Sequence, residues 1–384
     1  MMTEKLYYKD SHIRSFTATV LSCEEAEGGF DLELSATAFF PGGGGQLCDE
    51  GTLNGVRLLS VREEGERILH RSPVAFGVGS EVQGELDWDV RFRRMQLHSA
   101  EHIVSGLAHS RWGAENSGFH MNGEFVTMDL TVELTEADVL WLETEANAVI
   151  FRNTPFQTWF PEKAELDALQ YRSKKELSGA VRLVAVEGVD LCACCAPHVH
   201  LAGEIGSIRL PEAMRHRGGM RLILRSGSYA LEEHQRQSVI MSKLSAALSV
   251  PQERIVEAVE KLLNTVGEQK HMISQLQKQS LEAIARSAEP VDNALLFFVE
   301  DCDREALRAM VNGGLEKCGL CAAFAGGDGA WQYILGSREI DLRANAKAIN
   351  AAIHGKGGGS PQMIQGSATA TRAEIEAFWE GFHG

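Results

Sequence analysis

The sequence predicts an α+β protein in four parts. These are a small β-barrel-like unit over residues 1–88, an α+β domain over 89–230, a helical coiled-coil linker over 231–286 and an α/β module over 287–384. Three observations carry that reading. Short alternating runs separated by turn residues fill the chain up to about Asp87, helical and alternating segments mix in the middle, and apolar spacings of four and three set in after about Ala230. At 384 residues and 44% apolar content, the chain is long enough for two or three domains with sizeable cores.

From Phe16 onward, "TATVLSCEEAEGGFDLELSATAFFP" and "GTLNGVRLLSVREEGERILHRSPVAF" read as antiparallel strands. Between them lies "FFPGGGGQLCDEGTL", whose four glycines, Gly42 to Gly45, make a backbone-rich loop ending at Gln46. Apolar spacing at Met95, Ile103 and Leu107 predicts a helix, followed by a break at "GAENSG" and a strand at "EFVTMDLTVEL". Thr135 caps a second helix with Glu136 and Asp138 in its first turn. "VRLVAVEG" is a strand leading into the cysteine-rich "VDLCACCAPHVHLAGEIGSIRL", and "GGMRLILRSG" is another. Ile255, Val259, Leu262, Val266, Ile273 and Leu276 form a seam interrupted at Gln269, which predicts a helical hairpin or short coiled coil. Ser249 and Gln252 read as a capping box, with Pro251 in the first turn. Beyond about Pro290, "ALLFFVED", "GLCAAFAGGDGAWQYILGS", "DLRANAKAINAAIHG" and the glycine run "GKGGGSPQMIQGSA" make the last module.

Apolar runs are far shorter than a membrane span and "MMTEKLYYKD" has no signal-peptide core, so the expectation is a soluble, cytoplasmic protein with no membrane partner. Eight cysteines without an export signal point to reduced thiols, some of them metal ligands. The formal charge of −16 excludes whole-surface binding to nucleic acid and confines any such partner to local basic stripes. Two stripes qualify, "DVRFRRMQ" with Arg91, Arg93 and Arg94, and "MRHRGGMRLILRSG" with Arg215, Arg217, Arg221 and Arg225. The pair Cys318 and Cys321 lies in a strand without redox context and reads as two core cysteines.

The chemistry concentrates in two spaced pairs. His98 and His102 share one face of a helix, and Cys194 and His198 follow roughly 90 residues later. Three imidazoles and a thiolate suit zinc at tetrahedral count. Spacing alone leaves Cys192 and Cys195 competing with Cys194, and His200 with His198. Glu101 also gives His-x-x-Glu-His, the inverted zincin pattern in which glutamate is the general base, but that reading leaves the Cys194 and His198 pair without purpose. The "PGGGGQ" loop lacks the Lys-Ser/Thr ending of a P-loop.

Together, "TAFFPGGGGQLCDEGTL", "RRMQLHSAEHIVSG", "CCAPHVHLAGEIGSIRL" and "RGGMRLILRSG" resemble the AlaX family of free-standing alanyl-tRNA editing proteins and the editing domain of alanyl-tRNA synthetase. The resemblance implies one zinc per chain on His98, His102, Cys194 and His198, and leaves Cys192, Cys195 and His200 as non-ligands. It makes 89–230 the zinc-binding editing domain and 287–384 similar to the DHH-associated domain of the same synthetase. Ala196-Pro197 replaces the family's usual Gly-Thr before the last ligand, and Glu101 stands where a small hydroxyl or amide residue is usual. Asn116 and His120, in "ENSGFH", are the expected pocket residues beside Gln46 and Glu101, with Gly43, Gly44 and Gly45 as the glycine loop.

The activity so implied is ATP-independent trans-editing. The protein would hydrolyse the ester of mischarged tRNA(Ala), carrying serine or glycine, with Arg93, Arg94, Arg217 and Arg221 holding the tRNA. A homodimer through the 231–286 helices or the C-terminal domain is expected. The alternatives are a zinc peptidase of the inverted zincin type and a noncatalytic tRNA-binding protein with structural zinc.

Overall fold

The computed structural model describes residues 2–173 and 180–382. Among them the chain is mixed α+β, with several sheets and eight helices, in two compact units, Met1–Met241 and Ser242–Gly384.

The first unit opens with an antiparallel sheet of seven strands. Their order is Val56–Arg57, Gly51–Leu53, Glu81–Leu86, Ser15–Ala26, Gly29–Leu34, Arg67–Ser72 and Ser60–Glu64. The long strand Ser15–Ala26 serves two neighbours. Its first half pairs with Glu81–Glu85 and its second with Gly29–Leu34, and the register shifts between Val20 and Ser22, where a bulge bends it. The two edge strands are separated only by Leu58 and Leu59, whose N–H groups donate to Gly51 O (2.9 Å) and Arg71 O (2.8 Å). Two residues therefore link one edge of the sheet to the other. Alternate residues Phe16, Ala18 and Val20 turn inward with Leu32, Leu34, Ile68 and Val82, and Phe39 and Phe40 close this core.

Helix α1 (Trp88–Trp112) follows directly. Asp87 caps it by accepting from Val90 N, and Gly113, in the left-handed region at φ 64°, ends it. This helix is buried on nearly every side, so its polar residues His98, Ser99, Glu101, His102 and Ser105 are all taken out of water. Helix α2 (Glu136–Phe151) carries the expected cap, Thr135 and Asp138 bonding each other's backbone. Around α1 and α2 stand two antiparallel sheets, one ordered Asn116–Met121, Val126–Leu130, Gly219–Ser226 and Ile208–His216, the other Phe156–Trp159, Leu183–Val186 and Asp190–Ala193. A short helix, α3 (Lys163–Ala168), follows strand Phe156–Trp159. Met95, Ile103 and Val104 of α1 pack with Leu142 and Val149 of α2, and with Met128, Leu222 and Val184 of the sheets, in a second core.

Helix α4 (Gly227–Leu248) leads out of this region, and α5 (Ile255–Ser287) lies wholly in the second unit. The capping box expected at Ser249 does not form. Ser249 takes φ 54° and its N–H bonds Ala246 O, so it closes α4, while α5 begins at Ile255 after a 3-10 turn over Gln252–Arg254. The seam of α5 is exposed within the chain at Val259, Leu262, Val266, Ile273 and Leu276.

The second unit centres on a five-stranded sheet ordered Ala294–Val299, Leu320–Gly327, Ala330–Ser337, Met363–Ala368 and Gly355–Gly359. Only the first pair is parallel, joined through helix α6 (Arg304–Leu315). Alternation along Leu320–Ala325 feeds two cores. Leu320, Ala322 and Phe324 meet helices α7 (Leu342–Ala352) and α8 (Arg372–Phe382), whereas Cys321, Ala323 and Ala325 meet α6 and the end of α5. Cys318 and Cys321 are both buried in the latter core, as core cysteines.

His70 offers a test of the first core. It is fully buried, with Nδ1 3.2 Å from Leu32 O and Nε2 2.8 Å from Thr37 Oγ1, and burial holds its pKa down at about 4. The unfolded chain therefore binds a proton near pH 6.5 that the folded chain refuses, and stability is lost as pH falls from 6.5 towards 4. Unfolding free energies from urea titrations across that window should rise with pH more steeply for wild type than for His70→Leu, by up to about 1.4 kcal/mol per pH unit. Parallel slopes would contradict a neutral, buried imidazole.

Candidate metal centre

Two elements converge on one point. His98 and His102 leave α1 one turn apart, while Cys194 stands just past the end of strand Asp190–Ala193, with His198 four residues on. Close approach of the elements depends on Gly106, since a Cβ there would lie 2.5 Å from Val189 O and 2.7 Å from the Asp190 Cβ. That contact brings α1 and its histidines against the strand.

The four donor atoms lie within 4.8 Å of one another. The Cys194 sulfur is 3.6 Å from His98 Nε2 and 3.4 Å from His198 Nε2. A tetrahedral zinc with ordinary Zn–S and Zn–N bonds would set such edges at about 3.5 Å, so the donor set fits that ion in both chemistry and spacing. Each imidazole is fixed from behind through Nδ1. Gln46 Oε1 lies 2.8 Å from His98 Nδ1, Asp190 Oδ2 lies 3.0 Å from His102 Nδ1, and Ser99 Oγ lies 3.0 Å from His198 Nδ1. These partners turn the Nε2 atoms toward the shared sulfur. Asp190 is in turn held by Arg172 through two bonds of 2.7 and 2.9 Å.

The electrostatics follow from that packing. Burial alone would raise the Cys194 thiol, but His98, His102 and His198 outweigh it and hold the group well below the ordinary thiol value. Burial opposes protonation of His102, yet Asp190 and Cys194 push it up to about 9. His198, buried and facing His102, is held down at about 3. The site is therefore prepared as a thiolate with at least one uncharged imidazole.

Of the competing residues, Cys192 is buried with its thiol pushed up to about 12, and Cys195 packs against the glycine loop. His200 lies against His12 with ring centres 3.9 Å apart and planes tilted by 30°, and pairs with Asp10.

A cavity of about 580 Å³ opens onto the site, lined by His98, His102, Cys194, Asn116, Gly44 and Gly45 among others. The glycine loop is a tight turn in which Gly43 and Gln46 exchange backbone bonds of 3.0 Å. Gly45, at φ 90°, must be glycine, because a Cβ would lie 2.2 Å from the Phe119 ring. Glu101 is fully buried, and its Oε1 accepts from Ser105 Oγ and Asn116 Nδ2, both at 2.5 Å. It thus reaches the cavity through Asn116. His120 is exposed on strand Asn116–Met121 and does not line the cavity. Arg93 and Arg217 are exposed, whereas Arg94 is tied to Glu50 (2.7 Å) and Arg221 to Asp129 (2.6 and 2.8 Å).

Sequence reasoning missed Asp190, Arg172, Ser99 and Arg182. The last donates through Nη1 to Cys194 O (3.0 Å) and Ala196 O (2.8 Å), bracing the ligand loop that carries Ala196-Pro197. Replacing Asp190 by Asn should lower zinc affinity roughly 10–100-fold in competition with a chromogenic chelator. Unchanged affinity would contradict its role behind His102.

No family model matches the chain. It is 27% identical to "Alanyl-tRNA editing protein Aarsd1" of Rattus norvegicus, with 98% of this chain and 97% of that protein covered. The Danio rerio protein of the same name is 26% identical, with 96% and 95% covered. "Alanine--tRNA ligase" of Halobacterium salinarum is 31% identical over 87% of this chain, which spans only 38% of that ligase. Among solved structures, the C-Ala domain of Aquifex aeolicus alanyl-tRNA synthetase matches 23% of this chain and 91% of its own at 16% identity, with a TM-score of 0.21. Across nearly its whole length the chain is thus a relative of the alanyl-tRNA editing proteins, as its motifs indicate, and it shares a segment with alanine–tRNA ligases.

Proposed function

We propose that the protein deacylates mischarged tRNA(Ala), Ser-tRNA(Ala) first and Gly-tRNA(Ala) second, in trans and without ATP. One observation carries this reading. Three buried imidazoles and a partly buried thiol suited to zinc lie together, and His98, His102 and Cys194 among them line a cavity with Gly44, Gly45 and Asn116, in a chain similar throughout to alanyl-tRNA editing proteins. His98, His102, Cys194 and His198 would hold the ion, which supplies positive charge beside the ester when bound. Gln46, Ser99 and Asp190 keep the imidazoles aimed. Gly44 and Gly45 line the cavity, where the acceptor end of the tRNA would lie against backbone. Asn116, steadied by Glu101, is the side chain that would meet the amino acid, and the ester, already activated, needs only an oriented water.

Arg93 and Arg217 are exposed cations available for phosphate, with Arg94 and Arg221 shaping the same stripes from within their ion pairs. The four-part division at 88, 230 and 286, a barrel-like first unit, a DHH-associated-like last unit and a cytoplasmic location belong to the same proposal. So does a homodimer, for which the exposed seam of α5 is the support. The peptidase reading fits less well, because Glu101 Oε1 is engaged by Ser105 and Asn116 and Glu101 does not line the cavity.

Ser-tRNA(Ala), Gly-tRNA(Ala) and Ala-tRNA(Ala) incubated in parallel should separate the readings. Rapid ester loss from a mischarged species only, abolished in Cys194→Ala and kept within about tenfold in Glu101→Gln, is the expected result. Three esters surviving at the buffer rate while tRNA still binds would leave a noncatalytic tRNA-binding protein, and activity abolished by Glu101→Gln would restore the general-base reading.

A further inference from the structure

We propose that Phe160, Tyr8 and Arg182 form a stacking platform for the purine of the nucleoside that carries the ester, an inference that rests on the editing reading of the cavity. The cavity that exposes His98, His102 and Cys194 is also lined by these three residues. Its volume of about 580 Å³ falls in the range that takes a whole small-molecule ligand, about 300–1,000 Å³, and a serine or glycine leaves most of it empty. The surplus has the size of a nucleoside.

The chemistry of that surplus is aromatic and cationic. Phe160 follows strand Phe156–Trp159 and remains 49% exposed, although it is a large apolar ring at the cavity wall. It meets Tyr8 edge-on at 5.3 Å and 75°. Tyr8 is packed in turn by Tyr7, at 4.6 Å, and by the Arg182 guanidinium, 5.3 Å from its ring centre. Arg182 is only 6% exposed, and the nitrogen that donates to Cys194 O and Ala196 O ties it to the ligand loop. A single buried cation therefore braces both the aromatic wall and the loop bearing the metal donors. A ring exposed on a braced aromatic pair, beside a guanidinium, is a surface on which a base of unpaired RNA stacks, and every base offers it a π face. With the purine there, the ribose ester would share the cavity with Cys194 and Asn116, which also line it.

The test uses the full-length, zinc-loaded protein and uncharged tRNA(Ala) with 2-aminopurine as its 3′-terminal base, whose fluorescence is quenched on stacking. Saturating wild-type protein should quench it. Phe160→Leu, which keeps an apolar side chain without the π face, should lose most of the quenching and weaken binding roughly tenfold, and Phe160→Trp should restore both. As a further check, a terminal nucleotide without its base should cost wild type the same roughly tenfold, and cost Phe160→Leu nothing more. Absent quenching, or equal quenching in wild type and Phe160→Leu, overturns the platform. Because the probe is uncharged, the two proposals fail separately. Quenching without ester loss sinks the hydrolase and leaves the platform, whereas ester loss without quenching sinks the platform alone.

Discussion

Cys194 packs against two hydrophobic cores at once, that of the first sheet and that around α1, while its sulfur faces imidazoles from α1 and from its own loop. A thiolate in such a place is costly unless positive charge compensates it. Much of the surrounding structure follows from meeting that demand. Helix α1 must be buried deeply enough to bring His98 and His102 to the sulfur, so Gly106 replaces a side chain where the helix meets the strand Asp190–Ala193. Asp190 must then be charged behind His102, so Arg172 is drawn in to pair with it. Arg182 supplies a further cation at the loop carbonyls.

The same constraint explains how the two halves of the first unit cooperate. The first sheet contributes no metal donor, yet Gln46 reaches from its glycine loop to His98, and Ala196 of the ligand loop belongs to its core. The loop is therefore both the back of the metal centre and the wall of the cavity. A cation bound at the donors would stiffen the loop through His98, and a substrate held by the loop would press on the same imidazole. The hydrogen bond between Gln46 and His98 thus joins the cavity wall to the metal donors.

Much of this was legible in the sequence, because the features involved are local. The i, i+4 histidines, the Cys-x3-His pair, the Thr135 cap and the alternation of the strands are each written within a few residues. What could not be read depends on partners far apart in the chain. Asp190 looks like any strand residue until pairing and Gly106 place it behind His102, and Ser99 looks like any helical serine until His198 arrives from 99 positions away. The basic stripes were legible as composition but not as available charge, since Asp129 and Glu50, which occupy Arg221 and Arg94, come from other segments. Ser249 and Gln252 matched a helix start by spacing, and the left-handed backbone at Ser249 turned the same serine into a helix end. Phe160 gave no signal at all, because exposure is a property of the fold.

The central claim is that these four side chains hold one zinc as three nitrogens and one sulfur. X-ray absorption at the zinc edge of the purified protein tests it most directly. The claim requires one sulfur at about 2.3 Å and three nitrogens at about 2.0–2.1 Å, with the sulfur shell lost in Cys194→Ser and kept in Cys192→Ser and Cys195→Ser. A shell of oxygen and nitrogen alone in the wild type, or a sulfur that survives Cys194→Ser, would contradict it.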